Sequence, residues 1–147
     1  MPIAGHVALP EQTPRAGRQV IWWWAAAIVI ALAITIVSLL PPRGTPGLQI
    51  ADLGEVVANI GHFIGYLLLA FSIAVALSAS HPWFVWLFVS GYGAVVELVQ
   101  GLVGLRSFQL TDILVNALGA GVGIGIARAW HRRFRRPNGS AQIADLT

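Results

Sequence analysis

The chain has no cysteine and no lysine, and only 10% of its 147 residues are charged. Without cysteine there is no disulfide and no thiolate to offer a metal. Without lysine, all nine basic residues are arginine, and each still carries positive charge to a membrane surface. Acidic residues number six, so the net charge is only +3. The isoelectric point near 10.6 does not indicate a nucleic-acid partner, because the arginines flank apolar runs, where the positive-inside rule puts them. Apolar residues make up 56% of the chain, with a mean hydropathy of +0.74. Apolar runs of roughly 20 residues read as membrane spans, so this single domain is a membrane domain and not a soluble core.

Four such runs predict an all-α integral membrane protein with helices at about 20–40, 60–79, 83–103 and 110–130. The first is uncharged and ends at Pro41-Pro42. The Trp22-Trp23-Trp24 cluster at its start suits an interfacial aromatic belt. It exceeds the roughly 7–15 apolar residues of a signal peptide, and Leu-Leu-Pro-Pro is a poor cleavage site, so it reads as an anchored helix. Ser80-His81-Pro82 allows only a tight hairpin, with Pro82 opening the third helix. Residues 1–19 read as a flexible tail, 20–130 as the four-helix domain and 131–147 as a basic, partly disordered tail. Between Pro41 and Asn59, residues 48–57 suggest a short amphipathic helix on the outer interface.

Arginine sets the expected orientation. With both termini in the cytoplasm, Arg15, Arg18, Arg128, Arg132, Arg133, Arg135 and Arg136 lie inside, and only Arg43 and Arg106 lie outside. Four spans return the chain to its starting side, so the two ends agree.

In that topology His62, Tyr66, Glu97, Gln100, Arg106, Asp112 and Asn116 all fall toward the outer face. At ~1.5 Å per residue, Tyr66, Glu97 and Asn116 share a layer about 9 Å deep, with His62, Asp112 and Gln100 shallower. His62 and Tyr66 are four apart, as are Asp112 and Asn116, so each pair shares a helix face. Gly119 and Gly123 continue the second stripe. Ser90, Gly93, Glu97, Gln100 or Gly101, and Gly104 form a third. Such seams of small and polar residues turn toward other helices, and Gly119-x-x-x-Gly123 and Gly121-x-x-x-Gly125 read first as packing motifs.

Glu97 is the sharpest of these signals. A charged carboxylate at the centre of a membrane helix costs on the order of 2.5–3.5 kcal/mol. It escapes that cost by protonation, by pairing with Arg106 or His62, or by opening onto water. Asp112, near Thr111, suits either a helix cap or the site. Asn116 suits interhelical hydrogen bonding or a ligand. Arg106 suits charge neutralisation or a grip on an anion. His62, Glu97 and Asp112 are the candidates for acid–base work. One histidine and two carboxylates are a three-ligand set in composition, but with no paired-histidine spacing no metal is expected, nor any other cofactor. The glycines of 119–125 lie mid-helix, so they form no phosphate loop, and no serine sits in a nucleophile elbow.

Taken together, Gly61-His62-Phe63-Ile64-Gly65-Tyr66, Glu97-x-x-Gln100, Arg106 and Asp112-x-x-x-Asn116-x-x-Gly119 resemble the VanZ-like family of small bacterial membrane proteins over roughly 20–130. The resemblance implies a cell-envelope role at the outer face of the cytoplasmic membrane, since the family's name member is associated with low-level resistance to the glycopeptide teicoplanin. It implies no established reaction. The chain departs from the family in carrying Ala58-Asn59 where members often have Asp-Lys. Three readings stay open. One is an outward polar site for a lipophilic or lipid-linked envelope ligand, such as a lipoglycopeptide. Another is an enzyme acting on a lipid-linked precursor. The third is a structural subunit that associates through its helices with a partner or a second copy. None involves nucleic acid.

Overall fold

The computed structural model describes residues 15–40, 51–78, 80–103 and 109–134, with side chains from residue 18 in the first segment and from 56 in the second. Four helices follow in order: α1 (Arg15–Leu39), α2 (Ala51–Ala76), α3 (Pro82–Val103) and α4 (Leu110–Phe134). No strand occurs among the described residues. The stretches Arg18–Leu39, Val56–Ala76, Pro82–Val103 and Leu110–Phe134 are each at least 21 residues long and apolar. At ~1.5 Å rise they exceed the ~30 Å hydrocarbon core, so this is a multi-pass membrane protein of four spans.

Helices outrun the apolar stretches that announce them. α1 starts at Arg15, not at 20, and α4 runs to Phe134, not to 130. Arginine, alanine and glutamine are good helix formers, so the helix continues after hydrophobicity stops. Five residues expected in the flexible N-terminal tail and four expected in the basic C-terminal tail are therefore helical, and the remainder of both tails lies outside the described residues. The surface helix expected at 48–57 does not form as a separate element. Residues 51–57 are the first turns of α2, and 48–50 lie outside the described residues. An amphipathic pattern reads the same in a separate helix and in an extension of the next one.

The α2–α3 connection is longer than the sequence suggested, because α2 stops at Ala76 and not at 79. Ser78 takes a left-handed φ of 54°. Leu77 N–H donates to Ile73 O (2.9 Å) and Ser78 N–H to Val75 O (3.0 Å), which occupies the last carbonyls of the helix. Pro82 then opens α3, where its missing N–H is not needed.

α2 and α4 are the most intimate pair, and glycine is the reason. A Cβ on Gly119 would lie 2.5 Å from the Phe63 carbonyl oxygen, and one on Gly123 would overlap the carbonyl of Leu67. The backbones are in contact there. α3 joins α4 through Trp86, whose indole N–H donates to Ala117 O at 3.0 Å. α1 lies against α2 through Ala27, Ile34 and Trp23, the last meeting Phe71 edge-on at 5.6 Å. Trp23 is thus turned inward, while Trp22 and Trp24 stay exposed as a belt requires. α1 is also tied to α3: Tyr92 donates its hydroxyl to Ala31 O at 2.7 Å, with Thr35 Oγ1 2.6 Å from the same hydroxyl.

The surface is inverted relative to a water-soluble protein. Ile28, Val29, Leu32, Phe84, Leu87, Phe88, Leu114 and Leu118 face outward, whereas Glu97, Gln100, Asp112 and Asn116 are buried. Hydrocarbon accepts the first set, and only other helices satisfy the second.

Candidate functional site

The polar layer forms where α2 begins its span, α3 ends and α4 begins. Asn116, Tyr66, Glu97 and Asp112 are at most 1% exposed, and Gln100 is 4% exposed. His62 is the most open of the group, with 12% of its side chain exposed. Of the seven residues singled out from the sequence, these six converge. The seventh, Arg106, lies outside the described residues.

Small residues make the convergence geometrically feasible. A Cβ on Gly93 would lie 3.0 Å from both Asn116 Nδ2 and Tyr66 Cε1, so α3 presents bare backbone to the two deepest polar side chains. The Tyr66 ring stacks on the His62 ring at 6.2 Å and 17°, as four-residue spacing on one helix allows, and meets Tyr92 at 6.0 Å. His62 Nδ1 lies 3.3 Å from Asn116 Oδ1 and 4.0 Å from Glu97 Oε1. Both neighbours are acceptors, so with the Asn116 amide in this orientation Nδ1 carries the hydrogen and donates it to the amide oxygen. Nε2 is then the basic nitrogen.

Asp112 does not occupy the N-cap position of α4. The helix begins at Leu110, so Asp112 sits in its first turn, buried, with its N–H donating to Gln109 O at 3.2 Å. A carboxylate there still gains from the positive end of the helix dipole. Neither Glu97 nor Asp112 is without a partner. Three other polar atoms are. Tyr66 OH, Gln100 Oε1 and Asn116 Nδ2 are buried and find no hydrogen-bond partner among the described residues.

His62, Glu97 and Asp112 each bring one ligand atom to within 4.8 Å of the others. Ligand atoms around a tetrahedral zinc stand about 3.3 Å apart, given bonds of ~2.0 Å. The widest pairs would have to close by up to ~1.5 Å to hold that ion. Spacing along the chain gives no hint of this trio, because its members come from three helices.

Two further residues join the site that were not among its expected members. Asn59 lies three residues before His62 on the same face of α2, half-buried, and its Oδ1 has no partner among the described residues. Its spacing to His62 was the available signal, and it extends the stripe toward the membrane surface. Ser38 on α1 is the second: Gln100 Nε2 donates to its carbonyl oxygen. Gln100 therefore reaches α1. The expected α3 seam holds at Gly93, Glu97 and Gln100, while Gly101 is exposed and Gly104 lies outside the described residues. On α4, Asp112, Asn116, Gly119 and Gly123 are buried as expected, but Gly121 and Gly125 are exposed. The second glycine pair is thus no part of the α2–α4 contact, because it lies on the other side of the helix.

A family model described as VanZ/LLP1 matches residues 12–131, which include every residue of this layer. No curated protein and no solved structure matches the chain.

Proposed function

Because the chain belongs to the VanZ/LLP1 family, we propose that its polar layer binds the polar head of a lipophilic or lipid-linked envelope ligand and lowers sensitivity to the acylated glycopeptide teicoplanin. One observation carries this reading: Tyr66 OH, Gln100 Oε1 and Asn116 Nδ2 are buried and unpartnered among the described residues, beside two buried carboxylates. In hydrocarbon each unsatisfied polar group costs several kcal/mol, so a packing network would have closed on itself. An incoming polar head supplies the missing partners. His62 and Asn59, the more open members, form the approach, and Arg106 is the cation for an anionic group on the ligand.

The test expresses wild type, Glu97→Gln and His62→Ala at equal folded level and compares susceptibility to teicoplanin with that to vancomycin, which lacks the acyl tail. Wild type shifts tolerance for teicoplanin alone, and both variants lose the shift while still accumulating. Absence of any wild-type shift refutes the resistance reading. Failure of both variants to accumulate assigns the layer to packing.

Both termini are assigned to the cytoplasm and the site to the outer face of the bacterial cytoplasmic membrane. Seven arginines against two support this orientation. The chain has no native cysteine, so Ser107→Cys supplies a single thiol. It reacts with a membrane-impermeant thiol reagent in intact cells. Labelling only after lysis inverts the topology.

A second reading is favoured by His62 itself. Its Nδ1 faces an amide oxygen and a carboxylate, which is how a general base is oriented with Nε2 free to take a proton. The chain is then an integral membrane enzyme acting on a lipid-linked precursor. His62 or Glu97 is the base, Asp112 orients it, and Arg106 stabilises developing negative charge. A Glu97→Gln variant that binds ligand yet loses the phenotype selects this reading over the first.

A further inference from the structure

At the opposite end of the bundle, Pro82, Trp83, Trp86, Gly121, Ile124 and Arg128 line an open groove of about 420 Å³ between α3 and α4. Gly121, Ile124 and Arg128 share one face of α4, spaced by three and four. The Trp86 ring is fixed by its hydrogen bond to Ala117 O and meets Trp83 edge-on at 6.3 Å. Gly121 leaves a hollow: a Cβ there would touch only the Trp86 ring, at 3.8 Å. Arg128 closes the groove, exposed and in no ion pair among the described residues.

Charge is segregated along the bundle axis. Among the residues with described side chains, the acidic ones, Glu97 and Asp112, belong to the end that carries the polar layer. Arg18, Arg128, Arg132 and Arg133 belong to the other end, which has no carboxylate among the described residues. An apolar trough flanked by tryptophans, with a lone guanidinium at its mouth in a purely cationic setting, complements a molecule with an acyl chain and an anionic head.

We propose that this groove is a binding site for an anionic phospholipid. One acyl chain lies along Trp86, Gly121 and Ile124, and Arg128 holds the phosphate through its planar fork. Basic sites between membrane helices recognise headgroups in this way. The inference does not depend on the ligand of the polar layer or on the orientation of the chain.

The test supplies purified full-length protein in mild non-ionic detergent with equimolar phosphatidylglycerol and phosphatidylcholine, then counts retained lipids by native mass spectrometry. Wild type prefers phosphatidylglycerol about five-fold, the increment expected of one arginine at a membrane surface. Arg128→Gln brings the ratio to about one. Arg132→Gln, outside the groove, keeps it. Gly121→Leu fills the hollow and lowers retention of both lipids. Elution volume and helical circular dichroism confirm that each variant is folded. An unchanged ratio in Arg128→Gln overturns the proposal. So does an equal loss in Arg132→Gln, which would mean diffuse surface charge, or undiminished retention in Gly121→Leu, which would mean the chain lies elsewhere.

Discussion

Gly123→Leu abolishes accumulation of the folded protein, whereas Gly125→Leu leaves it near the wild-type level. The two glycines are two residues apart on one helix and identical by any compositional measure. Their surroundings are opposite. A Cβ on Gly123 would overlap the Leu67 carbonyl and crowd Phe71 N at 3.1 Å, while one on Gly125 has nothing within 4 Å. The obstacle at Gly123 is backbone, which no rotamer change relieves, so α2 and α4 have to separate. Overpacking a core typically costs about 1–3 kcal/mol when side chains yield, and here the obstruction is stiffer. Separation would also uncover the polar layer, because Phe63, which Gly119 touches, lies next to His62 on α2. Gly119→Ala falls between the two, with its Cβ 2.5 Å from Phe63 O. The measurement is the monodisperse fraction in mild detergent at matched expression. Equal yields of Gly123→Leu and Gly125→Leu would show that α2 and α4 do not pack through this seam.

Glu97→Lys comes next in expected effect, and its contrast with Glu97→Gln gives it meaning. Glu97 is 1% exposed, on the face of α3 that also presents Gly93 and Gln100 to the bundle. Glutamine keeps its shape and its acceptor oxygen, so that variant folds. Lysine inserts a cation beside His62, and a membrane helix carries such a charge at a cost of about 2.5–3.5 kcal/mol. That corresponds to on the order of a 100-fold loss in the folded population. Snorkelling relieves lysines on lipid-facing surfaces. Residue 97 is buried on the face of α3 turned to the bundle, so it has no lipid-facing surface to follow. Thermal unfolding in detergent, read by circular dichroism, separates the outcomes. Glu97→Lys as stable as Glu97→Gln would mean that the carboxylate is in contact with bulk water and that the layer is not a buried site.

The site was legible in outline because it is built on local spacing. His62 and Tyr66, and Asp112 and Asn116, are pairs within one helix, and the hairpin order of four spans carries them to one end. Where a partner lies on another helix, spacing had no purchase. Gln100 bonds to Ser38 on α1, sixty-two residues away. Tyr92 hydrogen-bonds to Ala31 on α1, and the clue to it was only a hydroxyl inside an apolar run. Asn59 drew notice as a departure from the family pattern, yet its buried amide oxygen shows that it continues the His62 face.

What the sequence determined by itself was the membrane, the number of spans and the end of the bundle that holds the polar side chains. These depend on composition, run length and the parity of crossings, none of which requires knowing how the helices pack. Tertiary structure alone decided which small-residue stripe is a contact and which faces lipid. Gly119 and Gly123 admit α2, while Gly121 opens a groove and Gly125 touches nothing. It also decided that His62, Glu97 and Asp112, from three different helices, meet within 4.8 Å. The physical reason is rotation. A helix pattern records which residues share a face, and only the packed neighbour fixes where that face points.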